Sequence, residues 1–132
     1  MKIFIFLFTV LFASCQCVKM DCVPGPPDLT IQLVDITGSD PILSGSLKLE
    51  NVALRNIQKQ IISTPQYHNG ILRFTIDNTS SDYVLVANNI IVDTLIVKTL
   101  FMEGECCSIF TINNVTINDK QVEFRPFLKM EI

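Results

Sequence analysis

From residue 28 onward the chain is cut into apolar runs of strand length by clusters of Asn, Asp, Gly and Ser, and no apolar period of 3.6 residues is sustained. Such a pattern offers no helix face to bury, so a core has to close between sheets. The runs are DLTIQLVDI (28–36), SLKLENVALRNI (46–57), HNGILRFTI (68–76), YVLVA (83–87), NIIVDTLIVKTLF (89–101), CSIFTINNVTI (107–117) and QVEFRPFL (121–128). The second is ambiguous: Leu47 and Leu49 alternate as in a strand, whereas Ala53, Leu54 and Arg55 would permit a helix over 50–60. Asn51 and Asn56 interrupt it like turn residues, which favours strand. Asn69-Gly70 is a strong hairpin signal, the stretch 118–120 reads as another turn, and the long run is expected to bend or split at Asp93. Pro126 marks an edge or an ending.

The chain has 132 residues, enough for one packed domain. The expectation is an all-β fold, an antiparallel β-sandwich of immunoglobulin- or transthyretin-like type over residues 28–132. Period-two alternation places Leu33, Leu72, Phe74, Ile76, Leu85, Ile96, Phe110, Ile112 and Phe124 in its core.

The N-terminus reads as an address. Lys2 is followed by eleven apolar residues, Ile3 to Ala13. A bilayer-spanning helix needs about twenty, so the run predicts a removed signal peptide over 1–14. FASC (12–15) resembles the lipobox of bacterial lipoproteins, with Ala13 and Ser14 directly before Cys15 and Phe12 where Leu is usual. The resemblance implies a diacylglyceryl group on the Cys15 thiol, cleavage before it and acylation of the new amine. Each buried methylene then contributes roughly 0.8 kcal/mol, and two or more acyl chains anchor stably where one is marginal. Residues 15–27 become a lipidated tether ending in the rigid elbow Pro24, Pro26 and Pro27.

Outside the cytoplasm Cys17, Cys22, Cys106 and Cys107 are disulfide candidates with three complete pairings open. Adjacent strand residues face opposite ways, so alternation through Phe110 and Ile112 puts Cys106 on their side and favours Cys22 with Cys106. A zinc site from the same four residues would need a spacing that matches no structural zinc pattern, and no C-x-x-C redox pair is present. No pattern calls for a cofactor or a metal.

Several separated pieces resemble the small uncharacterised lipoproteins of Bacteroidota: the lipobox cysteine, Cys22 with Pro26 and Pro27, the turn at Val34, Asp35, Thr37 and Gly38, and Glu105-Cys106-Cys107 before NNVTIND. The resemblance implies an envelope protein anchored by lipid, in the outer membrane, with a small β domain and no assigned reaction. Only Lys19 and Asp21 follow the lipidated cysteine as charges, so the leaflet it faces stays open. Asp93-Thr94-Leu95 resembles that phylum's O-glycosylation motif. Sequons at Asn78 and Asn114 keep a secreted eukaryotic β protein as the alternative origin.

Charge and chemistry exclude more than they assign. Without Lys2 the chain carries nine basic and thirteen acidic residues, a formal net charge of −4, which disfavours nucleic acid. His68 is the only histidine, and no G-x-S-x-G accompanies it. Glu103 and Glu105 flank Gly104 as solvated loop residues, and Asp77 with Asp82 fits no EF-hand spacing. With no Trp and two Tyr, an aromatic platform for glycans is weakly supplied. The expected function is therefore non-catalytic: a lipid-anchored envelope protein acting through contacts with another envelope protein. A ligand-binding or inhibitor domain using the loop 63–70 is the alternative. An exposed apolar or aromatic patch around Tyr67 would favour that alternative, and an exposed sheet edge would favour assembly by strand addition.

Overall fold

The computed structural model describes residues 25–132 except Glu105. The readings on the signal peptide, Cys15, Cys17 and Cys22 lie outside the described residues. Ten strands follow in order: β1 Asp28–Val34, β2 Val52–Asn56, β3 Ile62–Ser63, β4 Gln66–His68, β5 Ile71–Thr75, β6 Ser81–Ala87, β7 Ile90–Met102, β8 Ile109–Ile117, β9 Lys120–Val122 and β10 Leu128–Glu131. The ambiguous second run resolves as one 3-10 turn, Leu49–Asn51, leading into β2. No helix among the described residues is long and apolar enough to cross a membrane.

The strands form two sheets, β10-β1-β5-β4 and β3-β2-β6-β7-β8-β9. Every pairing is antiparallel except β1 with β10, which is parallel and matches Ile31 to Leu128. Between the sheets lie Leu29, Ile31, Leu33, Leu54, Leu72, Phe74, Leu85, Leu95, Val97, Val115 and Leu128, all nearly inaccessible. Burying a side chain of this size contributes about 1.5–3 kcal/mol, so this apolar layer dominates stability. Three hairpins turn on two residues with positive φ: Asn69-Gly70 (48° and 81°), Asn88-Asn89 (51° and 62°) and Asn118-Asp119 (49° and 61°). Asn, Asp and Gly tolerate that left-handed geometry, whose twist matches the flanking strands.

Three expected core residues differ. Ile96 is half-buried because Leu95 and Val97 take the inward positions. The reason is a bulge: Leu85 pairs with Asp93 but Val86 pairs with Ile91, so Val92 is an extra residue that re-phases the strand. Phe110 and Phe124 are also half-buried, the latter packed against the core's rim. The run 121–128 is not one strand either; its residues divide between β9 in one sheet and β10 in the other.

The sandwich has two unlike ends. At the loop end, the segment 35–51 and the turns 69–70 and 88–89 gather with the C-terminus, tied by Asn88 N to Asn51 O (3.0 Å) and Ile132 N to Val34 O (2.9 Å). At the hairpin end, Pro27 O accepts from Ile76 N (3.0 Å), and β7 and β8 run on past the other strands as a two-stranded overhang.

Candidate functional site

The loop end carries the most organised exposed surface. Asp35 Oδ1 accepts from Thr37 N (2.8 Å), Thr37 Oγ1 (2.6 Å) and Ser39 N (2.9 Å), and Gly38 takes φ +82° to close that turn. The Thr37 hydroxyl, with the Ser39 amide, holds the Asp35 carboxyl below its ordinary value. Five residues on, Asp40 Oδ1 accepts from Ile42 N (2.8 Å) and Leu43 N (3.1 Å), and its Oδ2 accepts from the Tyr67 hydroxyl (2.6 Å). Burial pushes the Asp40 carboxyl up, but the hydrogen bonds from Tyr67, Leu43 and Ile42 outweigh it and the net shift is downward. The same bond to Asp40 raises the Tyr67 hydroxyl above its ordinary value.

These two aspartates fix a loop that projects apolar side chains into solvent. Ile36 is 85% exposed and Leu43 81% exposed, against values near zero for the aliphatics of the core. Ile90 and Ile91, at the start of β7, are also exposed. Beside them Pro41, Leu47, Ala87, Ile90, Val92 and Ile132 line an open cavity of about 450 Å³.

Tyr67 does not form an aromatic patch. Its ring packs against the core and its hydroxyl braces Asp40, so it is a strut between β4 and the loop. His68 is exposed, with Nε2 3.0 Å from Asn69 Nδ2. The concavity it lines is otherwise formed by Thr30, Gln66, Tyr67, Asn69, Ile71 and Arg73, with no carboxylate among them. Asp77 is engaged: it accepts from Lys59 Nζ (2.6 Å) and caps Thr79, which lowers its carboxyl to about 2. Among the described residues no three His, Cys, Asp or Glu side chains converge as a metal site. The sequon residues Asn78 and Asn114 are both half-buried, and Asn114 Oδ1 accepts from the Thr116 hydroxyl within β8 (3.2 Å). Thr94 is exposed on β7.

Cys106 and Cys107 are both disulfide-bonded, while Cys17 and Cys22 lie outside the described residues. The terminal strands of both sheets are short, β3 with two residues, β4 and β9 with three each and β10 with four, but β8 pairs only with β7 from Ile109 to Asn114 and is open on its other side there. Beside the lower half of β8 the Arg125 guanidinium reaches Ile112 O (3.4 Å), and Asn113 is a second bulge, between the pairs Lys98–Asn114 and Thr99–Ile112. Short strands, bulges and a charged side chain all blunt an edge against pairing. The surface that sequence reasoning missed is the segment 35–48, whose Asp-x-Thr and Asp-Pro spacing signals Asx turns but not that Ile36 and Leu43 point outward.

No protein-family model, no curated protein and no solved structure matches this chain.

Proposed function

We propose that this chain is a cell-envelope protein held to the outer membrane by lipid on Cys15, of the small Bacteroidota lipoprotein kind, whose non-catalytic β-sandwich works through protein contacts. The observation that carries the contact half of this reading is the pair Ile36 and Leu43, presented at 85% and 81% exposure on a loop whose Asp35 and Asp40 accept from its own backbone amides and which Tyr67 braces. A rigid loop loses little conformational entropy on docking, and exposed aliphatics supply the apolar centre of an interface. The address half rests on the short apolar run followed by FASC. Since β1 starts at the hairpin end, a tether on Cys15 leaves the loop end farthest from the membrane and free to meet a partner.

A second reading is a ligand site in the cavity beside Leu47 and Ile132, whose volume of about 450 Å³ falls in the range of small-molecule pockets. One experiment separates the two. A photo-crosslinking residue at Leu43 in the lipidated protein, in intact envelopes, is expected to capture one discrete protein, and Ile36→Asp is expected to abolish the capture. Capture of nothing, with a small molecule co-purifying instead, contradicts the contact reading. An intact mass showing an unmodified N-terminus at Gln16 contradicts the lipid anchor.

A further inference from the structure

Beside the upper half of β8 the sandwich keeps an unpaired ladder. β9 leaves β8 at the pair Val115–Val122, so from Ile109 to Asn114 only β7 lies alongside. Two hydrogen bonds fix which backbone groups face the open side. Arg125 reaches Ile112 O from that side (3.4 Å), and Thr99 N, opposite Ile112, donates away from β8 to Ser80 Oγ (3.0 Å). Thr99 and Ile112 therefore exchange no ladder bonds; alternation makes Leu100–Thr111 a bonded pair and Phe101–Phe110 a second unbonded one. Both the N–H and the C=O of Phe110 consequently point outward, as does the N–H of Ile112, and no described residue bonds to any of the three.

This stretch is suited to pairing and is not guarded against it. Strand edges that stay alone carry charges, prolines or bulges. Residues 106–117 include no Asp, Glu, Lys, Arg or Pro, and the bulge at Asn113 lies below the open span. Phe110 stands half-buried beside Phe101, ring centroids 5.1 Å apart, and Phe101 is 44% exposed. A cavity of about 290 Å³ beside Phe110, Thr111 and Ile112 leaves the edge open to an incoming chain. Pro26, just before β1, lies elsewhere and lines a cavity with Leu54, Ile76 and Tyr83.

We propose that a second copy of the chain pairs here, β8 antiparallel to β8 about a two-fold axis through Phe110. The two Phe110 residues then exchange both backbone bonds, and the Ile112 N–H of each copy donates to the Ser108 carbonyl of the other. The ring pairs join across the axis as one row of four, since directly opposed side chains on one face stand about 5 Å apart. Thr111 comes opposite Ile109, and no like charges meet along the strand. Charge supplies the register. Glu103 follows Met102, which pairs with Ile109, so it stands level with Ser108 and thus with Ile112 of the other copy, beside which Arg125 sits. The separation is two strand spacings, about 10 Å, within the joint reach of the two side chains. Glu103 and Arg125 are both exposed, and among the described residues neither pairs with an opposite charge. The incoming strand displaces Arg125 from Ile112 O, a contact already stretched to 3.4 Å, and leaves the guanidinium to Glu103. An extended segment of another protein would satisfy the same amides but would need its own acidic group at that level, which a second copy supplies by symmetry. The pairing uses neither Ile36, Leu43 nor Cys15, so it stands apart from the partner contact and the lipid anchor.

Sedimentation equilibrium of the oxidised chain from residue 15 onward, carrying Cys15→Ser so that no detergent is needed, tests it together with amide exchange at Phe110. A monomer–dimer equilibrium is expected, with the Phe110 amide exchanging more slowly as the dimer fills. Phe110→Pro removes the outward N–H at an edge position that tolerates proline and is expected to leave a folded monomer, whereas Phe110→Leu keeps the dimer. Glu103→Arg and Arg125→Glu, both at exposed positions, are each expected to weaken dimerisation about tenfold, and the two combined to restore it. Should the proline variant not fold, this charge exchange decides alone. A monomer at every concentration up to about 1 mM overturns the proposal. So does a dimer that ignores the charge exchange, or a protected Phe110 amide in protein of monomeric mass, which would mean that the chain covers its own edge. A dimer lost in Ile36→Asp/Leu43→Asp and kept in Phe110→Pro would put the second copy at the loop end and overturn it too. Failure of the envelope-partner reading would show in the crosslinking at Leu43 and leave these masses unchanged.

Discussion

The two ends of the sandwich both expose large apolar side chains, but they hold them differently. At the loop end Ile36 and Leu43 stand on a segment whose aspartates satisfy its own backbone amides, and its neighbours are turns and the C-terminus. At the hairpin end Phe101 and Phe110 stand on regular ladder, at the point where the opposite sheet runs out beside the residues that lead into β1. Exposure alone therefore does not mark an interface. What separates the cases is the support beneath the apolar side chains: turns closed on aspartate oxygens at the loop end, and a two-stranded ladder leading to two disulfide-bonded cysteines at the hairpin end.

Breaking the hairpin end should have the largest effect. Cys22→Ser is expected to cost roughly 2–5 kcal/mol if its disulfide closes the long loop to residue 106 or 107, read as a lowered urea midpoint under oxidising conditions. An unchanged midpoint would make the hairpin end independent of the segment before it. At the loop end Tyr67→Phe removes the brace on Asp40 and is expected to cost about 1 kcal/mol. It should also speed amide exchange at Ile42 and Leu43, leaving β6 and β7 amides unaffected, whereas a structural loss spread over the whole core would blur the contrast between the ends.

A smaller effect belongs to pH. Asp77 sits near the hairpin end with its carboxyl lowered to about 2 by the Lys59 ammonium and Thr79, against 3.8 for the free group. A lowered carboxyl stabilises the fold above its unfolded value, and that contribution is lost as pH falls from about 4 through about 2. Lys59 and Asp77 keep 45% and 23% of their side chains exposed, so solvent screening holds the contribution to about 1 kcal/mol or less. Lys59→Met should flatten the acid limb of a stability–pH curve over that window. The smallest change in stability is expected from Ile36→Asp with Leu43→Asp, within about 0.5 kcal/mol, because neither side chain is packed. The same pair should have the largest effect on partner capture, which is the sharpest form of the contrast.

Much of the fold was legible because alternation and turn chemistry are local. Leu33, Leu72, Phe74, Ile76, Leu85 and Ile112 sit where period-two reading puts them, and Asn69-Gly70 turns as its left-handed preference dictates. Ile96 was misplaced because a bulge at Val92 shifts phase, and one extra residue leaves no mark in composition. Phe110 follows the alternation yet remains half-exposed, since facing the core side is a local property and having a roof is not. The parallel pairing of β10 with β1 joins residues about a hundred positions apart, which no window of sequence contains. Of the loop end, the hydrogen-bonding aspartates could be read from spacing, but the outward aim of Ile36 and Leu43 follows from the closed turns in three dimensions.

The central contrast, a loop end held by its own hydrogen bonds against a hairpin end that carries two disulfide-bonded cysteines, is tested most directly by non-reducing peptide mapping of the oxidised protein. The account expects the peptide containing Cys22 to be joined to the one containing Cys106 and Cys107. A bond between Cys106 and Cys107 themselves, with Cys22 recovered as a free thiol, would contradict it.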